Sequence, residues 1–134
     1  MDLGDVNWFA VLVAVISHQI IGFLWYGPLF SKTWLSAMGK QREDVQGGMD
    51  ASMIWALIAS AVSAVGIALL LTMTDDPSTG LGIVVGLVAA LSFAGATTFT
   101  ETAFEERKPL LSALFTGYAL VGYAVMGALI GAWQ

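Results

Sequence analysis

Cysteine is absent from this chain, and with it disulfides, thiolate metal sites and cysteine nucleophiles. Charge is scarce: only 11% of the 134 residues are Asp, Glu, Lys or Arg, where soluble domains carry about 25%. The single histidine leaves no His-based metal site, and Glu101, Glu105 and Glu106 offer no second ligand cluster. G-x-S-x-G, Walker and Gly-rich dinucleotide motifs do not occur. A net charge of −5 without a basic stripe interleaved with aromatics gives nucleic acid nothing to bind. The start, Met1–Asn7, has Asp2 and Asp5 and no Lys or Arg. It is unlike the basic start of a signal peptide, so the first apolar block is expected to stay in the protein as a span. No catalytic constellation is visible, and no enzyme, metal or cofactor is expected.

Apolar residues fill the space left by these absences. They make up 57% of the chain, with a mean hydropathy of +0.80. They fall into four blocks, residues 8–27, 52–73, 80–104 and 109–133. Each is long enough to cross a hydrocarbon core, which takes about 20 residues as helix. Backbone polar groups in lipid must be bonded internally, so these blocks read as helices. The expected fold is all-α, a four-transmembrane-helix bundle forming a single domain over residues 1–134, with the lipid bilayer as its surroundings. Trp25, Tyr26, Gly27 and Pro28 end the first block. Phe30, Trp34 and Met38 then recur at spacing four, so residues 29–39 read either as a short interfacial helix or as an extension of helix one. Lys40–Asp50 is polar with a Gly pair and reads as a linker.

Small residues recur at spacing four on three of the blocks. Helix two carries Ala56, Ser60, Ala64 and Ala68; helix three carries Gly82, Gly86, Ala90, Ala94 and Thr98; helix four carries Tyr123, Gly127 and Gly131. Such stripes let backbones approach closely in lipid. They are expected to find partners in a homo-oligomer or in a larger membrane complex.

All five basic residues fall in the first and third connections: Lys32, Lys40, Arg42, Arg107 and Lys108. Short loops rich in Lys and Arg stay cytoplasmic, so both termini are expected outside. Ionisable groups inside a span are costly and default to functional candidates. Two stand out, His18 at mid-span in helix one and Glu101 about one turn from the inner end of helix three. Thr97 and Thr98 share a face with Glu101. A hydrated polar pocket of His18, Gln19, Thr97, Thr98, Glu101 and Tyr118 is the sharp expectation. It suits proton-linked transport or polar-ligand binding, because histidine exchanges a proton near neutral pH. The bland alternative has His18 bonding a neighbouring helix and Glu101 reaching the interface or meeting Arg107 or Lys108.

The segments N-W-F-A-V-L-V-A (Asn7–Ala14), L-W-Y-G-P-L-F-S-K-T-W (Leu24–Trp34), T-T-F-T-E-T-A-F-E-E-R-K-P-L (Thr97–Leu110) and G-Y (Gly117–Tyr118) carry a resemblance. The chain resembles the 1761 family of domains of unknown function, small four-span membrane proteins of bacteria and archaea, over nearly its whole length. The resemblance implies a four-span fold and a prokaryotic inner membrane, and no activity or catalytic residue. A local similarity to the small fluoride channels, at Thr98, Phe99 and Thr100, stops at Glu101 and Thr102, where that motif needs another Thr-Phe pair. Two functions stay open: a small channel or transporter using His18 and Glu101, or a non-catalytic scaffold or accessory subunit joined through its small-residue faces.

Overall fold

The computed structural model describes residues 3–39 and 51–134, so the linker expected over Lys40–Asp50 lies outside the described residues. After a short turn, Leu3–Asp5, the helices are α1 (Trp8–Leu24), α2 (Ser31–Met38), α3 (Ala51–Leu71), α4 (Thr79–Ala89), α5 (Ala96–Glu105) and α6 (Pro109–Trp133). Four stretches are long and apolar enough to span a membrane: Trp8–Leu29, Ala51–Leu71, Thr79–Glu105 and Pro109–Trp133. The chain is a four-helix membrane bundle. Large apolar side chains such as Phe9, Phe23, Val62 and Phe93 point outward, as a lipid-facing surface requires.

Local chemistry sets the ends of these helices. Asn7 caps α1 by accepting from the Ala10 amide, and Ser78 caps α4 by accepting from the Leu81 amide. Pro109 occupies the first turn of α6, where its missing N–H costs no intrahelical bond. Two wide turns interrupt spans. In the first, Trp25–Leu29, the Phe30 amide reaches back five residues to the Trp25 carbonyl, and Gly27 leaves helical geometry at φ −105° and ψ −105°. Pro28 explains the break, since it disfavours helix at the residue before it. The segment after it is therefore a separate helix, α2, and not an extension of α1. The second wide turn, Ala90–Gly95, joins α4 to α5.

The tightest packing is α4 against α6, backbone on backbone. A Cβ added at Gly82 would lie 1.8 Å from the Gly127 carbonyl oxygen, and one at Gly86 would lie 2.1 Å from that of Tyr123. At Gly131 the obstacle is the Ser78 carbonyl oxygen, at 2.2 Å. The glycine stripes of the third and fourth spans thus meet each other inside one chain. On α3, Ser60, Ala64 and Ala68 are buried against the bundle, whereas Ala56 is exposed.

The core is lopsided. Ala10, Ala14, Ala64, Ile67, Leu71, Met126 and Ile130 form a closed apolar cluster in the half that holds the ends of α3 and α6. Asn7 donates to the Trp133 carbonyl there, and Gln134 to that of Ala68. The half towards Arg107 buries hydroxyls instead: Thr102, Ser112 and Thr116.

Candidate functional site

The boundary between the two halves is polar and centres on His18. Its position on α1 faces Ser60 of α3 and Tyr118 and Gly122 of α6, each near the middle of its span. His18 is 6% exposed. The Ser60 hydroxyl lies 2.7 Å from Nδ1, and the Gln19 amide donates to the same hydroxyl at 2.6 Å. The Ser60 hydroxyl, with one proton and two lone pairs, accepts from Gln19 and either donates to Nδ1 or accepts from it, according to the tautomer of the ring. Nε2 is buried with no hydrogen-bond partner. A buried donor or acceptor left unmatched costs about 1–3 kcal/mol.

Aromatic rings hold the imidazole in place. Tyr118 stacks on it at 4.7 Å and 12°, and Tyr123 tilts against it at 5.9 Å. The Tyr118 hydroxyl donates to the His18 carbonyl at 3.3 Å. Glycine creates the room: a Cβ at Gly122 would sit 2.4 Å from His18 Cδ2, and one at Gly22 would sit 2.9 Å from the Tyr118 hydroxyl. Tyr123 bonds Ser63 on the neighbouring turn of α3 at 3.0 Å.

Towards Arg107 lies a cleft of about 710 Å³ between α2, α5 and the start of α6. Tyr26, Trp34, Thr98, Thr102, Glu106, Arg107, Lys108 and Ser112 are among its lining residues. Tyr26 joins cleft to cluster, since its ring meets Tyr118 edge-on at 5.5 Å and Trp34 at 5.3 Å. Thr102 and Ser112 are hydrogen-bonded to each other, and Ser112 also donates to the Thr98 carbonyl. Among the described residues, no group of three or more His, Asp or Glu could hold a metal.

Of the residues expected to share one pocket, His18, Gln19 and Tyr118 come together. Thr98 lines the cleft instead, and Thr97 and Glu101 are exposed. No hydrogen bond or ion pair among the described residues links Glu101 to His18, and Arg107 pairs with Glu105 at 2.7 Å. Within α5 the inward positions are Thr98, which lines the cleft, and Thr102, which is buried, four residues apart. Glu101 stands one residue from Thr102, about 100° round the helix, and falls on the exposed side. Thr98–Thr100 lies in regular helix. Ser60, Ser63, Tyr26 and Tyr123 carry the cluster too, although the sequence marked Ser60 and Tyr123 only as members of packing stripes. A hydroxyl on a packing face is the signal that could have found Ser60.

The family model described as "Protein of unknown function (DUF1761)" matches residues 9–131. No curated protein and no solved structure matches the chain. The chain belongs to the DUF1761 family.

Proposed function

We propose that the protein is a small membrane carrier whose polar centre is His18 with Gln19, Ser60 and Tyr118, reached from the Arg107 side of the bilayer. One observation carries this reading: a cleft with polar groups in its lining ends at Tyr26, whose ring meets Tyr118 against the buried His18, and on the far side of His18 the core of the bundle is apolar. A cleft open at one end, with aromatic rings between it and the histidine, suits a carrier entered from one side and not a continuous pore. The bias of basic residues puts the open end in the cytoplasm, with both termini outside. His18 is the group that exchanges a proton, through Ser60 or through its unmatched Nε2. Glu101 has no part in this centre. A scaffold reading drew on small-residue stripes in search of partners. The glycines of α4 and α6 occupy each other within the chain, which favours the carrier reading over the scaffold.

The test is proton flux. The full chain is reconstituted in liposomes with an entrapped pH dye, and an imposed proton gradient is followed. The wild-type protein is expected to dissipate the gradient faster than protein-free liposomes, and His18→Gln to return the rate to the protein-free level. Equal rates for wild type and variant would remove His18 from any proton pathway.

A further inference from the structure

We infer that the mouth of the cleft binds a phosphate group, in the first place that of a phospholipid headgroup. Its volume of about 710 Å³ falls within the range of about 300–1,000 Å³ usual for small-molecule sites. Arg107 and Lys108 both line it. The Arg107–Glu105 pair is exposed on both sides, a kind of contact that exchanges readily with other anions. Lys108 joins no ion pair among the described residues. It also stands immediately before the 25-residue α6, whose first turn has no side-chain cap. Basic pockets between membrane helices on the cytoplasmic side bind lipid headgroups by this combination.

The remaining lining defines the ligand further. Glu106 adds one carboxylate to the two cations. It disfavours a free dianion and suits a phosphodiester, alone or joined to an amine. Trp34 supplies an amphipathic ring of the kind that favours headgroup depth. Leu111 and Phe115 continue the lining one turn apart along α6 into the apolar span, and give the attached chain a track. Under the carrier reading this names phosphate-bearing amphiphiles as the substrate class, but the binding stands on the cleft alone.

The test is native mass spectrometry of the full chain from detergent, with phosphatidylglycerol, phosphatidylethanolamine or diacylglycerol added, with and without inorganic phosphate. One phospholipid per chain should be retained, and diacylglycerol should not. Lys108→Gln should cut retention about fivefold, and the double variant with Arg107→Gln should cut it further. Lys32→Gln, a cation on exposed α2 outside the lining, should leave it unchanged. Competition by inorganic phosphate would identify free phosphate as a second source for the same site. Retention in detergent is read without any flux or proton gradient, so a failed carrier reading leaves this one standing. Equal loss in the Lys32 variant, no loss in the double variant, or full retention of diacylglycerol would overturn the inference.

Discussion

The hydrogen bond between Ser60 and His18 shows what a single polar contact does inside a membrane bundle. Interhelical hydrogen bonds of this kind average about 0.6 kcal/mol and reach about 1.7. Ser60 serves both Gln19 and His18, so Ser60→Ala strips a partner from two buried or half-buried groups. It is expected to destabilise the protein by about 1–2 kcal/mol, towards the upper end of that range. Glu101→Gln changes an exposed group outside the cluster and should change stability by less than about 0.5 kcal/mol. Steric-trap or SDS unfolding of the two variants side by side checks both values. A Glu101 effect as large as that of Ser60 would mean that the carboxylate belongs to the centre after all. Histidine was legible as a candidate because an ionisable group is costly at mid-span. Its partner Ser60 was not singled out, because a serine on a small-residue stripe reads the same whether it packs or bonds.

At the scale of elements, the two wide turns and the glycine seam decide where side chains go. The seam was legible as spacing, but its partner was not: nothing in Gly82, Gly86, Gly127 and Gly131 says whether the facing backbone is in the same chain. The separation of α2 from α1 was signalled by Gly27 and Pro28. No proline marks the wide turn at Ala90–Gly95, and beyond it the face that packs is that of Thr98 and Thr102, one residue from Glu101. The seam gives a sharp comparison among glycines. Gly82→Ala or Gly127→Ala drives a methyl into carbonyl backbone that cannot move alone, so α4 and α6 must part. Overpacking of that sort costs about 1–3 kcal/mol or more. Gly66→Ala on α3 meets nothing within 4 Å and should be neutral, or stabilising by about 0.5–1 kcal/mol through helix propensity. Thermal denaturation in one detergent, variant by variant, checks the ordering. A Gly66 variant as damaged as the Gly82 variant would contradict it.

For the whole molecule, the four-span architecture follows from composition and block length, because lipid leaves the backbone no other partner than itself. Its asymmetry does not follow from block length. The apolar seal comes from Ala14, Ala64, Ile67, Met126 and their neighbours meeting across three helices, and the cleft from α2 standing off from α5 and α6. Both depend on how faces are paired, which no single helix encodes. The central claim is that water reaches the middle of the bundle from the Arg107 side only. A chain without cysteine permits the direct measurement: Thr98→Cys in the cleft, Ser60→Cys at the centre and Ala64→Cys one turn beyond it. Each is exposed to a small membrane-impermeant thiol reagent in vesicles of either orientation. The account predicts labelling at positions 98 and 60 from the Arg107 face alone, and none at 64 from either face. Labelling of 98 with 60 silent from both faces, or of 60 from the opposite face, would contradict it.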